Sequence, residues 1–169
     1  MMALTLTSAK ARWLRIESNV TLVFFVFMGL ALVKALGYLL STMVRHSAEV
    51  TGVQLLTSSI AVWATNVLIF SVAYWRIDRG GPEARANHAS TKPDWLFPQH
   101  SAPPEYVPLD WHPTFVDYLF FAFDTATAFS PTDDVPLTPR AKLLMMLESI
   151  ISLVTIIAVA ARAVNMLGS

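Results

Sequence analysis

Cysteine is absent from the 169-residue chain, which excludes a disulfide framework, a thiolate nucleophile and a cysteine-ligated metal. Charge is also scarce, since 14% of the residues are charged against roughly a quarter in a soluble domain. The net charge is zero, so no basic field supports binding to nucleic acid. The composition therefore argues against a soluble domain and against a nucleic-acid-binding protein.

Apolar residues are abundant instead, at 54% of the chain, and the mean hydropathy is +0.51. A membrane-spanning helix needs about 20 mostly apolar residues, because its backbone must satisfy its own hydrogen bonds in lipid. Three segments meet this requirement: 19–44, 54–75 and 142–167. We expect an all-α, multi-pass protein of the cell membrane with three transmembrane helices, in contact with the lipid bilayer.

The chain divides into four parts. Residues 1–18 are a basic amphipathic lead-in, 19–75 form a two-helix hairpin, 76–112 are a proline-rich polar loop, and 113–169 hold a short helix, a turn and a long helix. The aromatic residues of the loop suit either a belt at the lipid headgroups or a packed cap over the helices: Trp95, Phe97, Tyr106 and Trp111. Its histidines are spaced twelve apart, which favours ordinary loop residues over a metal site: His88, His100 and His112.

Segment 114–130 is apolar and helix-like, but its roughly 17 residues are short for a span. Pro131 follows at once, with Pro136 and Pro139 soon after. We therefore predict a half-span helix that turns back as extended chain. Such backbone is tolerated at membrane depth only where it is buried in protein or lines a water-filled cavity.

Residues 115–142 resemble the pore region of tetrameric potassium-type channels. In that family a pore helix ends in the filter T-T-V-G-Y-G-D, followed by a run such as I-V-P-x-T-P and the inner helix. Here the stretch from Asp117 to Thr127 is similar to the pore helix, Val135-Pro-Leu-Thr-Pro139 to the run after the filter, and Arg140 onward to the inner helix. The region also resembles a bacterial family of uncharacterised membrane proteins, through an F-x-x-T-D turn and the ending from Arg162 to Leu167.

The filter itself departs from the potassium pattern. The equivalent positions are Thr127, Ala128, Phe129, Ser130, Pro131, Thr132, Asp133 and Asp134. Ser130 and Thr132 replace glycines whose backbone angles form the potassium cage, and Pro131 replaces the tyrosine. The resemblance thus implies a pore helix, a turn and an inner helix, in a self-assembling protein with a possible fourfold ring, but without potassium selectivity.

Two features are candidates for an ion path. In a fourfold ring Asp133 and Asp134 would form acidic rings, which favour cations. The third span also carries a polar stripe on one helix face: Glu148, Ser152, Thr155 and Arg162. For Ser152 and Thr155 we favour helix packing over a conducting role. For Glu148, functional and structural roles are equally supported.

Two further charges fall within apolar segments. Lys34 is close enough to the end of the first span to reach the interface, which we favour over a buried pair with Asp124 or Glu148. Asp124 lies inside the short helix and is expected to face water, or else to be protonated or paired.

Positive charge marks the cytoplasmic side, and it is concentrated in the N-terminal lead-in and in the 76–112 loop. This distribution predicts a cytoplasmic N-terminus and loop. A potassium-type pore loop enters from the opposite side, so the charge distribution counts against a conventional channel.

The leading hypothesis is a channel-like membrane protein with a non-selective or weakly cation-selective pore for monovalent cations. The alternative is a non-conducting membrane scaffold or accessory subunit that retains a pore-domain packing motif. No nucleophile–base pair, phosphate loop or zinc motif indicates an enzyme, and no cofactor is expected.

Overall fold

The computed structural model describes residues 23, 26–42, 51–86, 92–127 and 134–167. The described chain is mostly helical, which confirms the predicted helical class. Its helices are α1 (Val26–Thr42), α2 (Gly52–Ile77), α3 (Pro82–Ala86), α4 (Phe115–Thr127) and α5 (Pro139–Leu167). Two short strands, β1 (Trp95–Leu96) and β2 (Val135–Pro136), and two 3-10 turns, Asp78–Gly80 and Pro98–Ser101, complete the described elements.

Two of the described helical stretches are long and apolar enough to cross a membrane. They are Gly52–Gly80, which continues α2 through its 3-10 turn, and Pro139–Ala161 within α5. The described part of the first predicted span, α1, is apolar but shorter. The ends of the predicted 19–44 span lie outside the described residues.

Both long helices begin at a threonine cap. The Thr51 hydroxyl accepts the backbone N–H of Gln54 at 3.3 Å, and the Gln54 side chain accepts the Thr51 N–H at 3.2 Å, which completes a capping box. At α5 the Thr138 hydroxyl accepts the N–H of Ala141 at 3.3 Å, with Pro139 in the first helical position.

α2 ends in a turn with left-handed backbone. Its cap is Asp78, whose N–H donates to the Tyr74 carbonyl, and Arg79, Gly80 and Gly81 follow with φ of 51°, 77° and 94°. At Gly81 a Cβ would lie 2.7 Å from the Arg76 carbonyl oxygen. Glycine is required there by both the angle and the close approach.

α4 packs against α2 and α5 and runs antiparallel to α2. Near its start, the Phe115 ring lies 6.0 Å from that of Trp75 at the end of α2. Its last turn lies beside Trp63, whose indole N–H donates to the Ala126 carbonyl at 3.4 Å. α4 therefore extends about half-way along α2, as expected for 13 residues of roughly 1.5 Å rise each.

The chain then returns to the end of the bundle from which α4 started. β2 pairs antiparallel with β1, with Trp95 opposite Pro136 and Leu96 opposite Val135. The backbone N–H of Leu137 continues this ladder by donating to the Asp94 carbonyl at 2.8 Å. The start of α5 is thereby fixed beside the end of α2.

Part of the proline-rich loop forms a packed cap at this end. Trp95 and Phe97 are almost completely buried. Their rings lie 4.9 Å from Tyr74 and 5.3 Å from Tyr118, respectively. Trp95 and Phe97 therefore lie in a packed cap over the helices, which is one of the two roles predicted for the aromatic residues of the loop. Tyr106, by contrast, is 78% exposed.

Candidate functional site

The polar stripe of α5 faces the interior of the bundle. Glu148, Ser152 and Thr155 are all buried, on the side of α5 that packs against α2. The opposite side of α5 is exposed and apolar, and includes Leu143, Met146, Ile150, Leu153 and Ile157. Spacings of three and four residues put the stripe on one face, and that face is turned toward the neighbouring helix. The side chain of Arg162 lies outside the described part of the structure.

Glu148 is the centre of a buried polar layer. The Tyr74 hydroxyl donates to its Oε2 atom, while its Oε1 atom has no hydrogen-bond partner among the described residues. The Asn66 amide nitrogen donates to the Glu148 carbonyl oxygen at 3.1 Å and to the Ser152 hydroxyl at 2.9 Å. Both α2 residues are fully buried, so this layer ties α2 to α5 without access to water.

Three of the last four carbonyl groups of α4 are occupied by protein donors. The last four carbonyls of a helix have no partner within it. Here Trp63 donates to Ala126, and the Ser149 hydroxyl donates to the Thr125 carbonyl at 3.4 Å. The Thr127 hydroxyl donates to the Asp124 carbonyl at 2.8 Å. These oxygens are engaged in packing α4 against α2 and α5 and in closing its last turn.

A cavity of about 300 Å³ lies next to this end of α4, between α2 and α5. Its lining comprises Leu56, Ser59, Ile60, Trp63, Thr127, Thr155, Ile156 and Val159. The hydroxyls of Ser59 and Thr155 donate to carbonyls four residues earlier in their own helices, at 2.7 and 2.8 Å. The cavity is open on one side, and the surface that these residues give it is therefore apolar.

A second polar cluster joins the cap to the start of α5. The Asp94 carboxylate is fully buried and accepts from the Thr138 hydroxyl at 2.6 Å. It also accepts from two nitrogens of Arg140, Nε at 2.6 Å and a terminal nitrogen at 2.5 Å. This two-pronged geometry is the strong form of an arginine–carboxylate pair.

Asp78, at the end of α2, extends the cluster. Its Oδ1 atom accepts the backbone N–H of Asp94 at 2.7 Å, and its Oδ2 atom accepts the Tyr118 hydroxyl at 2.7 Å. Arg85 donates to its backbone carbonyl at 2.7 Å. α2, α4 and the cap are thus held together at one end of the bundle.

His100 lies at the same end of the bundle, and its imidazole ring makes the hydrogen bonds of the neutral form. Arg79 donates to its Nε2 atom at 2.7 Å, and its Nδ1 atom lies 3.3 Å from the Phe97 carbonyl. Burial, followed by the nearby charge of Arg79, lowers the pKa of His100. Among the described residues no group of three or more histidines, aspartates and glutamates could hold a metal ion.

The remaining predicted residues are dispersed. Lys34 is exposed on α1, and Asp124 is half-buried on α4. Asp134 is buried. The filter-equivalent residues 128–133 lie outside the described residues, so the predicted turn chemistry is not described.

Sequence reasoning did not identify Asn66, Tyr74, Asp78, Asp94 or Tyr118. A signal for the first two exists in the second predicted span, where Ser59, Asn66 and Tyr74 are spaced seven and eight apart and so share one helix face. The other three come together only through tertiary contacts.

Comparisons of the chain with family models, with curated proteins and with solved structures found no match.

Proposed function

We propose that the protein is a non-conducting, multi-pass membrane protein, a scaffold or accessory subunit that uses a pore-domain arrangement for packing. The observation that carries this proposal is the inward direction of the α5 stripe. Glu148 and Ser152 are bonded to α2 side chains, so they are not available to line a pore on the exposed face of α5. Polar residues within membrane helices usually face a bundle interior or water, and here they face the interior.

Two other features support the same function. At the α4 end, where a pore helix would direct carbonyl oxygens toward an ion, two of the last carbonyls accept hydrogen bonds from Trp63 and Ser149 instead. The cavity beside that end is apolar. An apolar lining supplies no ligands to an ion, and an ion without ligands is costly outside water.

The proposal includes a topology. α1, α2 and α5 cross the membrane, and α4 enters and returns on the side of the proline-rich loop, which is cytoplasmic. The two long apolar helices support membrane location, and the half-length of α4 with its return to β1 supports a re-entrant helix. The exposed apolar face of α5 provides a surface for lipid and for self-association.

The second candidate is the weakly cation-selective pore. What favours it is that α4 ends half-way along α2, at the depth where a pore helix would stop. The acidic pair Asp133 and Asp134 follows the turn. Potassium selectivity is not part of this candidate, because serine, proline and threonine occupy the positions of the Gly-Tyr-Gly motif at 130–132.

Ion flux into proteoliposomes tests the two candidates. The wild-type chain is compared with protein-free liposomes and with a variant carrying Asp133→Asn and Asp134→Asn. A matched control carries Glu105→Gln and Asp110→Asn, two exposed carboxylates of the cap loop. We expect no sodium or potassium flux above that of protein-free liposomes in any of the three proteins. Flux in the wild type that falls in the 133/134 variant but not in the control, most steeply at low ionic strength, would establish the pore instead.

A further inference from the structure

Glu148 and Asp94 are both fully buried carboxyl groups, but their surroundings differ. Asp94 accepts three hydrogen bonds, two of them from the guanidinium of Arg140. Glu148 accepts one, from the neutral hydroxyl of Tyr74, and its Oε1 atom has no partner among the described residues. The first environment suits a negative charge, and the second does not.

Charged groups on the elements around Glu148 are directed elsewhere. At the cap end, Asp78 is bonded to Tyr118, and Arg140 is bonded to Asp94. Lys34 on α1 and Lys142 on α5 are exposed. The acidic residues of α4 are half-buried, and the side chain of one of them, Asp117, bonds the N–H of Thr114 at 2.6 Å. Among the described residues, no cation compensates a charge on Glu148.

An unpaired ionised carboxylate is far more costly to bury than a neutral acid, and such a group binds a proton instead. We infer that Glu148 is a proton-binding site in the interior of the helix bundle, where it is held as a neutral carboxylic acid bonded to Tyr74. The proton turns an unpartnered acceptor into a donor. The same layer contains a further unpartnered buried acceptor, the Asn66 Oδ1 atom.

The proton-binding site does not depend on whether the protein conducts ions, and the ligand of the polar layer is the proton itself. Asn66 bonds the Glu148 backbone carbonyl, and Ser149, the next residue, bonds α4. Loss of the proton would therefore place a charge where α2, α4 and α5 meet. The bundle is expected to loosen there when the site is deprotonated.

Infrared spectroscopy of the full chain in lipid vesicles tests the inference. At about pH 7, where an exposed glutamate is ionised, wild-type protein should show the carbonyl stretch of a protonated carboxylic acid. Glu148→Gln should lose this band, and Glu105→Gln, the matched change at an exposed carboxylate, should keep it. Tyr74→Phe should keep the band but shift it to higher frequency, because the carbonyl loses its hydrogen bond. This second variant keeps the test decisive if Glu148→Gln does not fold.

Two results would overturn the inference. One is a wild-type spectrum in which no carboxylic-acid band depends on Glu148 or responds to Tyr74→Phe, since Glu148 would then be ionised. The other is a Glu148-dependent band that appears only below about pH 5, since Glu148 would then bind a proton no more tightly than an exposed glutamate does.

Discussion

Removing the guanidinium of Arg140 should destabilise the protein much more than removing the neighbouring charge of Lys142. In Arg140→Ala the buried Asp94 carboxylate keeps only its bond from Thr138 and loses two charge-assisted bonds. Lys142 is exposed two residues further along the same helix, so Lys142→Ala is the matched control. Both variants remove one positive charge from the start of α5, and only one of them isolates a buried anion.

The size of the effect follows from which partner is buried. Removing one partner of a buried ion pair costs about 3–5 kcal/mol, because the other charge is left uncompensated. The Arg140 side chain is itself 60% exposed, so water reaches the space that it leaves, and we expect the low end, about 3 kcal/mol. Asp94→Ala leaves an exposed arginine that water can solvate, so it should cost less, about 1–2 kcal/mol.

The assay is denaturant unfolding of the purified protein in detergent micelles, read as the free energy of unfolding. The double variant Asp94→Ala with Arg140→Ala should be close to Asp94→Ala alone, so the coupling energy should equal the whole effect of Arg140→Ala, about 3 kcal/mol. If Arg140→Ala is no more destabilised than Lys142→Ala, the buried pair does not hold the cap to α5, and the reasoning is refuted.

Two smaller perturbations test other parts of the same end. Gly81→Ala should lower stability by about 1–3 kcal/mol, because the new Cβ would lie 2.7 Å from the Arg76 carbonyl oxygen at a residue with positive φ. The control Gly29→Ala should not destabilise the protein, because there is open space around Gly29. Equal melting temperatures of the two variants would contradict this prediction. His100 has a lowered pKa in the folded protein, so stability should be constant above its ordinary value of about 6.5 and fall as the pH drops below it. His100→Gln, which retains an acceptor for Arg79, should flatten that pH dependence of the melting temperature, and an unchanged slope would exclude His100 as its source.

Hydropathy predicted the described helices well, because apolar length is a local property. The helix predicted at 54–75 is observed at Gly52–Ile77, and the helix predicted at 142–167 is observed at Pro139–Leu167. The extra residues at each start form the first turn after the threonine caps, and hydropathy does not detect these caps. The short helix is likewise close to its predicted range, since Pro131 limits it on one side.

The partners of the polar residues were not predictable in the same way. The spacing of Glu148 and Ser152 predicts that they share a face, but not that this face meets Asn66 and Tyr74 some 80 residues earlier. Asp94 and Arg140 are 46 positions apart, and only the β1–β2 pairing brings them together. Local patterns determine which residues line up on a helix, whereas the choice of neighbour depends on the packing of the whole bundle.

The central claim is that α4 enters the membrane and returns on one side, and single-cysteine labelling tests it most directly. The chain has no native cysteine, so there is no background. Glu105→Cys lies in the cap loop, Leu137→Cys lies between the turn and α5, and Ser169→Cys lies at the end of the chain. We expect a membrane-impermeant maleimide to label the first two from the same side and the third from the opposite side. Labelling of Leu137→Cys from the side opposite to Glu105→Cys would mean that the 114–130 segment crosses completely, and would contradict the account.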